Sequence, residues 1–151
     1  MKNYSFAQVK TRTFPTVSDV KHPYIFGNIR SVINVSEKED ADIKALYSQL
    51  GIDYHFYPTK EECSDMNWDN IKAATSVLVK NIKNEIPTIV HCIGGNNRSP
   101  MIVECAYYSL FGEHYADEYN VLQTMNSKHT LQSLDFYCYH QYNERLLESH
   151  S

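Results

Sequence analysis

The sequence predicts an α/β fold: a central, mostly parallel sheet of four to five strands flanked by helices. Two observations carry this. Short β-rich runs at 29–35, 52–57 and 87–91 alternate with stretches of helical periodicity at 40–50 and 67–84. The 151 residues also show no internal repeat, low-complexity tract or flexible linker, so one domain over 1–151 is expected.

The first 28 residues are the least regular, broken by Phe14-Pro15 and His22-Pro23, and read as loops with at most a short strand or helix. Ile29 to Val35 reads as a buried strand. Asp40 to Leu50 follows as a helix with Ile43, Leu46, Tyr47 and Leu50 on one face, stopped by Gly51. Ile52 to Tyr57 is a second strand closed by Pro58, and residues 58–66 form a polar loop. Asn67 to Asn84 is a helix with Ile71, Ala74, Leu78 and Ile82 in register. Pro87 to His91 is a short apolar strand, and a helix runs from about Ser99 to Phe111, with Pro100 in its first turn and Gly112 at its end. Two further helices are expected at about 114–127 and 131–147, the second carrying Leu131, Leu134, Cys138, Tyr142 and Leu146 inward.

Composition narrows the function classes. Hydrophobic residues are 42% and charged residues 21%, an ordinary globular balance. With 14 basic and 18 acidic residues the net charge is −4, which argues against a broad nucleic-acid or anionic-membrane face. No stretch reaches transmembrane length, and Met1 to Phe6 opens no secretory apolar segment. Cysteines 63, 92, 105 and 138 lack metal-type pairing and read as free thiols, so a cytoplasmic monomer is expected. Cys105 and Cys138 fall on apolar helix faces and read as core. Seven histidines include no pair four apart on one helix, so no metal and no cofactor are assigned.

Chemistry concentrates at residues 91–99, His-Cys-Ile-Gly-Gly-Asn-Asn-Arg-Ser, between an apolar strand and a helix. Parallel sheets bind ligands outside the carboxyl ends of their strands, and this loop stands at such an end. Five residues, Ile93, Gly94, Gly95, Asn96 and Asn97, separate Cys92 from Arg98. That length lets backbone N–H groups curl around one tetrahedral anion at the positive end of the following helix. Gly94 and Gly95 permit the tight turns, and Arg98 offers a planar fork to two oxygens. The same field favours a negative, nucleophilic sulfur at Cys92.

With Cys92, Gly95, Arg98 and Ser99 in place, the loop resembles the signature of the protein tyrosine phosphatase superfamily, and the short chain resembles its compact, atypical dual-specificity branch. Ile33-Asn34-Val35-Ser36, Ala106-Tyr107, Phe136 and Gln141 resemble other parts of that family, so the likeness spans roughly 29–147. The resemblance implies a cysteine phosphatase fold and hydrolysis of phosphate monoesters through a phosphocysteine on Cys92. It implies that Arg98 binds the phosphoryl group, Ser99 stabilises the leaving thiolate and His91 supports the loop, without a metal.

Expulsion of the leaving group needs a proton. The family places an aspartic acid on a loop before the helix that leads to the cysteine strand. Here that loop holds Asp65, 27 residues before Cys92, while Glu61 and Glu62, at 31 and 30, stand nearer the family's spacing. Asp65 is the favoured acid and the two glutamates are its alternatives. The structural reading of Asp65 is a helix cap or solvated loop residue.

Two rival functions remain: a phosphate-binding module with little turnover, and a rhodanese-like sulfurtransferase. Sulfurtransferase loops resemble this one but usually run one residue shorter, and Gly95 and Ser99 set it apart from the rhodanese-type phosphatases that share its five-residue gap. No cation lies between Cys92 and Arg98, which favours a phosphorylated protein, on tyrosine or on serine and threonine, over a polyanionic inositol phosphate.

Overall fold

The structure, a computed structural model, describes residues 4–61, 65–95 and 98–112. Strand β1 (Val9–Arg12) leads into two short helices, α1 (Val17–Lys21) and α2 (Pro23–Phe26). Then β2 (Ser31–Asn34), α3 (Ala41–Gln49) and β3 (Asp53–Phe56) follow. The long helix α4 (Trp68–Lys83), strand β4 (Thr88–His91) and helix α5 (Arg98–Phe111) complete the described chain. The helices expected at 114–127 and 131–147, with Cys138, Phe136 and Gln141, lie outside the described residues.

The four strands form one all-parallel sheet in the order β1-β4-β2-β3. The expected fold class therefore holds, with four strands among the described residues. Sequence reading left the first 28 residues almost unassigned, yet they supply an edge strand and two helices. The reason is tertiary. Val9–Arg12 carries two charges, and it becomes a strand by pairing along β4 from Val9↔Thr88 to Arg12↔His91.

Alternation along the two central strands fills both faces of the sheet. Val32 and Ile89 point into a core with Val20, Phe26, Ile43 and Tyr47. Their neighbours Ile33 and Val90 point the other way, onto Ile71, Leu78 and Ile102. Each such side chain, fully buried, contributes about 1.5–3 kcal/mol before entropy is subtracted. Residues 71, 74, 78 and 82 of α4 are all buried, as their spacing predicts. In α3, by contrast, Leu50 is 49% exposed although its spacing placed it inward. It is the C-cap, where the helix ends and turns away before Gly51 at φ +69°.

Helix starts are fixed by side chains. Asp40 accepts from the amides of Asp42 and Ile43, and Asn67 from that of Asn70. At the amino ends of the central strands, Asn81 Nδ2 donates to Ser31 Oγ at 2.9 Å and to Thr88 Oγ1 at 3.2 Å. This buried clasp ties α4 to β2 and β4. Among the described residues no helix is long and apolar enough to cross a membrane.

Candidate active site

The carboxyl ends of β4, β2 and β1 meet where the chain leaves the sheet at His91. The His91 carbonyl accepts from the Val35 amide at 3.0 Å, and the Ile93 carbonyl from the Phe14 amide at 3.0 Å. The loop after β4 is thus sewn to the segments that follow β2 and β1. Gly95 takes φ +72°. A Cβ there would stand 2.8 Å from the Arg12 carbonyl carbon and 3.0 Å from the Thr13 nitrogen. Glycine is required twice over, by its dihedral and by the close approach of β1's end.

Cys92 lies on the floor of this loop, 2% exposed, at the edge of the apolar cluster between the sheet and α5. Its sulfur nevertheless has polar neighbours. The Gly95 amide donates to Sγ at 3.2 Å, and Ser99 Oγ lies 3.4 Å away. An N–H and a hydroxyl converging on one sulfur are contacts that a thiolate accepts. Ser99 is fully buried in the first turn of α5, and that helix directs its positive end at the loop.

Arg98 opens α5 and is 7% exposed. Its Nη1 donates to the Thr59 carbonyl at 2.9 Å. Its Nε is buried and has no hydrogen-bond partner among the described residues. A desolvated guanidinium N–H left open beside a loop of this shape fits an oxyanion oxygen.

His91 supports the loop from beneath. Its Nδ1 lies 3.2 Å from the Cys92 carbonyl, and its ring meets Phe14 edge-on at 4.9 Å. Burial pushes its pKa down to about 4, only partly opposed by that hydrogen bond. The imidazole is therefore neutral at physiological pH, with Nδ1–H facing the carbonyl, and its contribution is structural. The Lys38 ammonium lies 4.6 Å from the centre of the Phe14 ring. Arg12 is engaged elsewhere, paired with Asp19 at 3.0 Å.

The segment that follows β2 is held by a polar knot. Asn34 Nδ2 donates to the Lys38 carbonyl at 2.8 Å, and Asn34 Oδ1 accepts from the Ser36 hydroxyl at 2.7 Å. The segment that follows β3 is braced likewise. Asn70 Nδ2 donates to the Pro58 carbonyl at 2.7 Å, and the Asn67 amide to Thr59 Oγ1 at 2.8 Å.

The structure thus brings Cys92, Gly95 and Ser99 into contact, and it starts α5 with Arg98. Ile93 and Gly94 are exposed, while Asn96 and Asn97 lie outside the described residues. Asp65 and Glu61 are both solvent-exposed, and Glu62 and Cys63 lie outside the described residues. Cys105 is in the core, as expected, its thiol pKa pushed up by burial and by Glu104. Thr59 was missed by sequence reading. Its only signal is its place directly after the strand-closing Pro58. Among the described residues no three His, Cys, Asp or Glu side chains converge as a metal site.

No protein-family model matches the sequence, and no curated protein matches it. Solved structures do match the fold. Human DUSP28 superposes with a TM-score of 0.72 at 10% identity, covering 95% of this chain and 96% of that one. PTPMT1 in complex with PI(5)P gives 0.70 at 10% identity, covering 94% and 95%. The kinase associated phosphatase KAP, solved with its catalytic site cysteine replaced by serine, gives 0.67 at 18% identity, covering 80% and 72%. At these identities the likeness is one of fold, that of the compact dual-specificity phosphatases. It bears out the fold class, and the resemblance at the level of the fold.

Proposed function

We propose that this chain, built on the fold of the compact dual-specificity phosphatases, is a cysteine-dependent phosphatase of phosphate monoesters. One observation carries the reading. A sulfur with an amide at 3.2 Å and a hydroxyl at 3.4 Å shares its loop with a buried guanidinium whose Nε is open.

In the first step Cys92 Sγ attacks phosphorus and the ester P–O bond breaks. Arg98 and the loop amides hold the equatorial oxygens, where charge is spread. The departing oxygen takes a proton from a carboxylic acid on the 58–66 loop, Asp65 being favoured over Glu61 and Glu62. In the second step water attacks the phosphocysteine, the S–P bond breaks, and inorganic phosphate leaves. The sulfur departs as a thiolate, and the Ser99 hydroxyl at 3.4 Å is placed to donate to it.

The fold itself does not choose the substrate. PTPMT1 is seen with PI(5)P, while KAP is named as a kinase associated phosphatase. For this chain we favour phosphoprotein, because Ile93 to Asn97 brings no cation to answer further phosphates. A cytoplasmic setting is in keeping with the free thiols of Cys92 and Cys105. The alternative is a phosphate-binding module with little turnover: the same loop without an effective acid would turn over only activated esters.

Hydrolysis of an aryl phosphate decides between these. Wild type is expected to turn over, releasing a burst of phenol as the phosphocysteine forms. Cys92→Ser is expected to lose turnover by at least about ten-thousandfold while still binding tungstate. Turnover that survives in Cys92→Ser rejects the mechanism, and tungstate binding without turnover in wild type supports the binding module.

A further inference from the structure

Thr59 is 2% exposed, and each of its polar atoms is committed. Its carbonyl accepts from Arg98 Nη1 at 2.9 Å, and its amide donates to the Val35 carbonyl at 3.3 Å. Its hydroxyl donates to the Lys60 carbonyl at 3.2 Å and accepts from the Asn67 amide at 2.8 Å. One small buried residue therefore touches the phosphate-gripping arginine, the end of β2, and the turn that bears Asp65 and Met66. Met66 is itself 6% exposed and packs into the cluster that contains Cys92.

We propose that Thr59 is a positioning residue whose hydroxyl registers the Asp65–Asn67 turn against Arg98. Its two functions separate by atom. The carbonyl orients the guanidinium and is present whatever the side chain. The hydroxyl fixes where the 65–67 turn stands relative to that guanidinium, and only a hydroxyl-bearing residue supplies it. Geometry on this scale matters, because a misplacement of about 1 Å in a reacting group costs up to about a hundredfold in rate.

The kinetic half of this inference rests on the phosphatase reading; the structural half does not. Thr59→Val keeps the shape and the carbonyl but removes the hydroxyl, and Thr59→Ser restores it. By NMR, exchange of the Asn67 amide proton is expected to speed up at least about tenfold in Thr59→Val and to return to the wild-type rate in Thr59→Ser. With phenyl phosphate, whose leaving group needs a proton, kcat is expected to fall about tenfold in Thr59→Val. With dinitrophenyl phosphate, which needs none, kcat is expected to hold within about twofold, and tungstate affinity within about threefold.

Unchanged Asn67 exchange in Thr59→Val overturns the proposal. So does an equal loss on both esters with weakened tungstate binding, which would make Thr59 only a prop for Arg98. A wild type that hydrolyses neither ester sinks the phosphatase reading, and the Asn67 exchange then still decides the tie. If Thr59→Val does not fold, Thr59→Ala carries the same measurements.

Discussion

The cysteine loop and the 58–70 segment lie beside one another and are built on opposite principles. In the first, the groups around the sulfur come from one short stretch, although β1 and the segment after β2 brace it. An apolar strand ends, a glycine takes φ +72°, and a helix begins with Arg98 and Ser99, so sulfur, amide and hydroxyl are gathered within eight residues. The second is assembled from a distance. Thr59 reaches across 39 residues to Arg98, and Asn70 reaches back 12 to the Pro58 carbonyl. A loop whose reacting groups sit close together in sequence tolerates few substitutions within it. A segment made by outside contacts is retuned through residues that never touch the substrate.

Breaking the first region should produce the larger effects. Arg98→Lys replaces the fork with a point charge and surrenders the fixed Nε, so kcat/KM is expected to fall about a thousandfold. A loss under tenfold, measured on an aryl phosphate, would mean that the guanidinium is not the phosphate ligand.

Beneath the loop, His91 ties its fate to pH. Its pKa is about 4 when buried, against 6.5 when exposed, so between these values the unfolded chain binds the extra proton. Stability that is complete above about pH 6.5 is expected to drop by on the order of 3 kcal/mol as the pH falls to 4. Urea unfolding of wild type and His91→Asn across that window checks this; equal pH slopes in the two proteins would deny the burial.

Gly95→Ala forces a side chain to φ +72° and into the backbone of Arg12, so a loss of about 2 kcal/mol in unfolding free energy is expected. A variant as stable as wild type would show that the loop does not lean on β1.

Asp65→Asn is the most diagnostic change. A fall of at least about a hundredfold in kcat on phenyl phosphate is expected, with loss of the alkaline limb of the pH profile. If the limb persists there but vanishes in Glu61→Gln or Glu62→Gln, the proton comes from the glutamate.

Much of the fold was legible because its signals repeat along the chain. Ile71, Ala74, Leu78 and Ile82 fall on one helical face, and each is buried. The short apolar runs around Ile33 and Val90 are central strands. Leu50 continued the α3 pattern on paper, but the helix ends there and the side chain faces water. Val9–Arg12 gave no strand signal because β1 exists through its partner β4. In the site, Cys92, Gly95 and Ser99 could be read together because the segment that carries them also arranges them. Thr59 could not, since a threonine in a polar stretch looks the same buried or exposed, and Asn34 and Ser36 stood out only by resemblance, not for the knot they form.

The sequence alone determined where a sulfur and a guanidinium stand relative to a strand end and a helix start, because dihedral preferences and helix periodicity act over a few bonds. Only the tertiary structure decided that β1 props Gly95, that Thr59 holds Arg98, and that Asn67 hangs from the Thr59 hydroxyl. Those contacts depend on which distant groups are brought together and stripped of water, a property of the packed chain that no local pattern encodes.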